Sequence, residues 1–203
     1  GIDGLDAQDV EIADGLGYAI KLLGIAELID GAVSARVFPA LVPHGHRLAA
    51  VEGADNAVLL ESRSAGEIML VGPGAGGSET ASAVLADVLS ILGTQRGSFL
   101  HNALADTGRP IAAPGALRSA FYMRLSVRDR PGVLARVASA LAEGDLSIET
   151  VLQQGQDDAA RLVMILHEGR EEKMRSAMEQ IAAMADLREP PVVLHVLADG
   201  GGR

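Results

Sequence analysis

The last third of the chain constrains its fold most tightly. Residues 121–127 read as a strand, until Asp129-Arg130-Pro131-Gly132 breaks the run. Val133, Leu134, Val137 and Leu141 then recur at helical spacing. Pro131 is tolerated in a first turn, and Gly144-Asp145 stops the helix. Residues 146–152 and 161–167 read as strands around a turn at 154–158. Residues 171–184 read as a helix with Met174, Met178 and Ile181 on one side, and residues 192–197 as a last strand. The order β-α-β-β-α-β predicts a ferredoxin-like unit, with both helices on one face of a four-stranded antiparallel sheet. Residues 199–203, polar and glycine-rich, predict a disordered tail.

The turn at 128–134 is also where chemistry is expected. A helix N-terminus offers backbone N–H groups and positive potential to a carboxylate. Gly132 permits close backbone approach, and Asp129 supplies a partner for an ammonium group. A free amino acid satisfies both ends; the plainer alternative is a β-turn before a helix. The run Asp129-Arg130-Pro131-Gly132-Val133-Leu134-Ala135, followed by a helix and the strand holding Leu146-Ser147-Ile148, resembles the ACT family over about residues 121–197. The resemblance implies pairing through sheets and an amino-acid site lined by Asp129, Gly132, Val133 and Leu134, with Ile148 facing it.

Composition narrows the rest. Aromatic residues are only 2% and Trp is absent, so the core is aliphatic. A net charge of −10 argues against nucleic acid and against an anionic membrane surface. With no Cys there is neither a disulfide nor a thiolate ligand, and no metal site is expected; His44 and His46 read as a loop pair without a third ligand. No apolar run is long enough to span a bilayer, and no leader precedes the first element, so a cytoplasmic protein is expected. The opening Gly1-Ile2-Asp3, without an initiator Met, reads as the interior of a longer sequence.

Upstream, Asp6 is a helix N-cap, and Val10, Ala13, Leu16, Gly17, Ile20 and Gly24 keep helical spacing. A helix is therefore predicted to reach the turn pair Asp30-Gly31. Strands follow at 33–41, 56–61 and 67–71, the last two joined by a hairpin-like turn. Gly72-Pro73-Gly74-Ala75-Gly76-Gly77 is too rich in glycine for regular structure, and a helix runs from Ser78 or Glu79 to Gly93. Residues 94–118 hold several Gly and Pro and no apolar period, which predicts a linker between segments 1–93 and 119–198.

Read alone, the glycine turn suggests an anion site and no more. It has neither the Lys-Ser/Thr of a P-loop nor a G-x-G-x-x-G spacing. In series, Leu48-Ala49-Ala50-Val51-Glu52-Gly53-Ala54-Asp55-Asn56-Ala57-Val58, the short strand pair, Gly72-Pro73-Gly74-Ala75-Gly76 and Thr80-Ala81-Ser82-Ala83-Val84-Leu85-Ala86-Asp87 resemble homoserine dehydrogenase over residues 1–93. The stretch Tyr18-Ala19-Ile20-Lys21-Leu22-Leu23-Gly24-Ile25-Ala26 is similar to the family's helix with an active-site lysine.

The family resemblance implies an α+β architecture: a mixed-sheet catalytic and dimerisation domain followed by the ACT unit. It implies NAD or NADP as hydride carrier between L-homoserine and aspartate semialdehyde, Lys21 as catalytic group, and Gly74, Ala75, Gly76 and Thr80 against the cofactor. It also implies L-threonine as effector and a homodimer or higher oligomer. A lysine ammonium donates a proton and stabilises charge developing on a carbonyl oxygen; the alternative for Lys21 is a solvated helix-edge lysine. Asp14, seven residues earlier, is the substrate-binding candidate, with Asp3, Asp6 and Asp9 as other acids nearby. No Rossmann unit opens these 203 residues, so the cofactor is expected to be held mainly elsewhere and this chain alone to be inactive. The competing reading is an amino-acid-sensing or dimerising module without catalysis.

Overall fold

The structure is a computed structural model and describes residues 4–93, 108–113, 115, 117–156 and 158–198. Asp3, most of the 94–118 linker and the 199–203 tail lie outside them. The described elements are α1 (Ala7–Gly15), β1 (Tyr18–Ile29), β2 (Ala32–Pro43), a 3-10 turn (Arg47–Ala50), β3 (Asp55–Ser62), β4 (Gly66–Pro73) and α2 (Gly77–Leu92). After them come β5 (Arg118–Arg128), α3 (Val133–Glu143), β6 (Ile148–Gln156), β7 (Ala159–Arg170), α4 (Glu171–Ala182) and β8 (Val192–Val196).

The C-terminal elements follow the order expected from their pattern, but their sheet is larger than expected. It has six strands in the order β1-β2-β8-β5-β7-β6. β2 runs parallel to β8, with Ala40 opposite His195 and Leu41 opposite Val196, and β1 pairs antiparallel with β2. The four antiparallel strands expected of the module are present as β8-β5-β7-β6, and the upstream hairpin extends them by pairing along the outer edge of β8.

Alternation along the central strands feeds two cores. Met123, Leu125, Leu162 and Met164 point toward α3 and α4, where Val137, Leu141, Met174 and Ile181 meet them. Tyr122, Val163, Ile165, Leu194 and Val196 point the other way, onto Ile12 and Ala13 of α1 and Leu41 of β2. Each fully buried aliphatic side chain contributes about 1.5–3 kcal/mol, so both faces are stabilised by burial.

The long upstream helix is also corrected. α1 stops at Gly15, and Gly17 takes a left-handed φ of 88°. Tyr18 to Ile29 then forms β1, not a helix. Asp30 and Gly31, both at positive φ, make the two-residue turn into β2, with Ile29 opposite Ala32. An Asp-Gly pair between two apolar runs is a strong hairpin signal, and here the hairpin prevails over helical spacing.

The chain divides into two compact units, residues 1–49 with 110–203, and residues 50–109; this division does not coincide with segments 1–93 and 119–198. The second unit holds the β3–β4 hairpin, with Leu59 opposite Met69, and α2, which ends at Gly93. No described helix is long and apolar enough to cross a membrane.

Candidate functional site

Strand β5 ends at Arg128, and the chain turns through Asp129, Arg130 and Pro131 into α3. Gly132 caps that helix at φ 87°, a left-handed conformation that side chains resist, and no side chain caps the first turn. The Asp129 amide donates to the Asp158 carbonyl (3.1 Å) and the Arg128 amide to the Asp186 carbonyl (2.8 Å), which fixes the turn. Beside it lies a cavity of about 370 Å³, lined by Asp129, Gly132, Val133 and Leu134 together with Ala160 and Leu162 of β7. The turn brings together four of the five candidate effector residues. Ile148 is elsewhere: it packs against the core under α3 and α4.

The structure adds one residue that sequence reasoning missed. Gln153 of β6 lines the same cavity and its Nε2 donates to Asp129 Oδ1 at 3.4 Å. Nothing local marks it, because its place is set by pairing with Leu162 across β6 and β7. Its neighbour Gly155 keeps the strand close to the turn: a Cβ there would lie 2.9 Å from Asp129 Oδ2. Chemically the cavity offers a carboxylate, a side-chain amide, a helix N-terminus and an apolar wall, with Arg128 and Arg130 on its rim.

Lys21 lies in the middle of β1, half-buried, directly opposite Ala40, which is itself opposite His195 of β8. The helix that sequence similarity assigned to it is therefore a strand. On the same face His195 Nε2 is 2.9 Å from Glu171 Oε1, and its ring lies 4.0 Å from that of Phe38. Asp14 is near the end of α1, exposed, 3.4 Å from His44 Nε2. His46 Nδ1 accepts the Leu48 amide. Among the described residues no group of three or more His, Asp or Glu side chains gathers as a metal site.

Gly74, Ala75, Gly76 and Thr80 lie at the entry to α2, where the Thr80 amide donates to the Gly76 carbonyl at 3.1 Å. Gly76 has φ 146°, and a Cβ there would meet the Glu79 carboxylate at 2.1 Å. A Cβ on Gly74 would strike the Asn56 amide at 1.7 Å. Glu79 accepts the Ser78 hydroxyl at 2.7 Å; that bond, with one from its own backbone N–H, lowers its pKa. This turn does not fit a dinucleotide's phosphates: its helix N-terminus already faces an anion of its own.

Known proteins bear on both segments. Residues 1–89 match the homoserine dehydrogenase family model, and residues 121–186 match the ACT domain model. The chain is 38% identical over 189 residues to the homoserine dehydrogenase of Corynebacterium glutamicum, covering 90% of this chain and 42% of that protein. It is 42% identical over 179 residues to that of Mycobacterium tuberculosis, covering 82% and 41%. The crystal structure of a homoserine dehydrogenase from Thiobacillus denitrificans superposes with a TM-score of 0.81 at 33% identity, over 97% of this chain and 46% of that one. A Staphylococcus aureus homoserine dehydrogenase gives 0.59 at 26% identity, over 98% and 45%. The chain thus spans slightly under half the length of these relatives.

Proposed function

We propose, from the matches of residues 1–89 to the homoserine dehydrogenase family model and of residues 121–186 to the ACT domain model, that the chain belongs to that family and serves NAD(P)-dependent interconversion of L-homoserine and L-aspartate 4-semialdehyde under feedback by L-threonine. The cofactor, when bound, supplies or accepts the hydride. Lys21 is the group proposed to hold the proton at the substrate oxygen, where an ammonium offsets the negative charge that grows as the carbonyl is reduced. Asp14 is proposed to hold the substrate. Gly74, Ala75, Gly76 and Thr80 are proposed as the wall against the uncharged part of the cofactor, its phosphates being bound by residues of the longer protein. Residues 1–93 and 119–198 are proposed as the catalytic and regulatory portions, in a cytoplasmic homodimer or higher homo-oligomer.

The observation that carries the regulatory half is the cavity at the Asp129–Leu134 turn. Threonine's ammonium pairs with Asp129, its carboxylate with the α3 N-terminus and its methyl with Val133 and Leu134. Gln153 is the polar group available to the hydroxyl. Calorimetric titration with L-threonine, with other amino acids as controls, tests this: saturable, selective heat is expected, and its absence returns the domain to a dimerising role. A parallel assay of NAD(P)-dependent homoserine oxidation is expected to show turnover by the longer protein and none by these 203 residues. Turnover by this chain alone rejects the division of labour.

A further inference from the structure

The most unusual polar group in the fold lies outside both candidate sites. Asp9, in the first turn of α1, is fully buried against the sheet. Its Oδ1 accepts the Tyr122 hydroxyl at 3.1 Å and sits 2.7 Å from Arg124 Nε, a close ion pair without a linear hydrogen bond. Its Oδ2 accepts the Asp6 amide at 3.0 Å. Arg124, also buried, donates through a terminal nitrogen to the Gly4 carbonyl at 2.8 Å, and Arg161 donates to Asp6 Oδ2 at 3.2 Å. A buried ion pair is a poor device for stability alone, since apolar side chains of like volume serve as well or better. Its attested use is to fix registry between two elements.

The elements it fixes matter. Tyr122 and Arg124 belong to β5, and Arg161 to β7. The same two strands line the cavity through Val127, Ala160 and Leu162, which alternate onto the opposite face. One layer of backbone therefore separates the cavity from the anchors of α1. At its far end α1 leads into the proposed catalytic strand: Leu16, Tyr18 and Ile20 pack in the same apolar cluster as Tyr122. There the His44 amide donates to the Gly17 carbonyl at 2.9 Å, and Asp14 meets His44. Asp14 and Lys21 thus hang from a helix that is bolted to the back of the regulatory sheet.

We infer that α1 couples the two halves: occupation of the Asp129 cavity shifts β5 and β7, and the Asp9–Tyr122–Arg124 cluster carries that shift through α1 to Asp14 and Lys21. Asp9 and Arg124 are positioning residues in this scheme, which rests on the reading that the cavity takes an amino acid. α1 lies between the two sites: it packs on the back of the strands that line the cavity and leads into the strand of Lys21, and the exchange experiment tests whether both sites bias it.

Hydrogen exchange of this chain, with and without saturating L-threonine and alongside calorimetry, tests the scheme. Threonine is expected to change amide exchange across residues 10–21 by about fivefold or more, the low end of ordinary coupling. In Asp9→Asn, threonine still binds but no longer alters exchange there, whereas Arg124→Lys, which keeps the charge, retains part of the native response. Binding in the native chain with exchange at 10–21 unchanged overturns the coupling and leaves the effector site standing, a result that needs no variant to fold. If calorimetry shows no threonine binding, the effector reading fails and the coupling with it.

Discussion

The two compact units are built on opposite economies of burial. In the larger one, the central strands β5 and β7 are covered on both faces, and Tyr122, Met123, Leu125, Leu162 and Met164 are almost wholly out of water. In the unit of residues 50–109, no described residue is buried; Val84, Leu85, Leu89 and Leu92 of α2 and Leu60, Leu70 and Val71 of the hairpin are exposed. A two-stranded hairpin is at best marginal alone in water. The first unit contains its own reason to fold. The described residues of the second carry the pattern of folded structure, a hairpin and an amphipathic helix, with no buried core among them.

Substitutions can break that contrast. The largest effect is expected at the buried ion pair: Arg124→Met leaves the Asp9 carboxylate uncompensated and should cost about 3–5 kcal/mol in chemical denaturation of this chain. Replacing both partners with apolar residues should recover most of that loss. Leu125→Ala, which opens a cavity beneath α3, should cost about 2–5 kcal/mol. Leu85→Ala on α2 should stay within about 0.5 kcal/mol in the same measurement. Equal costs at the two leucines would mean that residues 50–109 do bury a core.

Smaller effects sharpen the picture within the larger unit. Asp129→Ala should weaken threonine binding by about 1–3 kcal/mol by calorimetry, leaving thermal stability without ligand nearly unchanged. Gly31→Ala, forced into a left-handed turn at φ 82°, should destabilise the β1–β2 hairpin by about 1–2 kcal/mol. The smallest effect concerns Asp6. Burial pushes its carboxyl upward, but the Asp9 amide and the Arg161 and Arg124 guanidiniums outweigh it and hold the pKa below the ordinary 3.8. Its contribution is therefore present above that ordinary value and lost as pH falls through the lower, folded one. Asp6→Asn should lie below the native chain in stability at neutral pH and converge with it in acid, by a margin that solvent screening keeps small.

Much of the C-terminal module was legible because each of its signals is local. Asp129-Arg130-Pro131-Gly132 marks a strand end, a helix start and a left-handed glycine within four residues, and the structure puts the cavity there. Upstream, two local signals competed. The spacing of Val10, Ala13, Leu16, Ile20 and Gly24 fits a helix, and the Asp30-Gly31 pair fits a hairpin. The hairpin prevails because β2 finds a partner in β8, more than 150 positions away, a pairing no window of sequence contains.

By itself, then, the sequence determined the element order of the regulatory module, its aliphatic core, the glycine-capped turn with Asp129, and the glycine-bounded helix α2, since each follows from side-chain period or from glycine's access to positive φ. Only the tertiary structure decided that Lys21 rides on a strand, that Gln153 joins Asp129, and that Asp9 leaves water to meet Tyr122 and Arg124. Those outcomes depend on which strand edges meet and which faces are covered. That choice is set by burying apolar area across distant parts of the chain, not by any residue's neighbours in sequence.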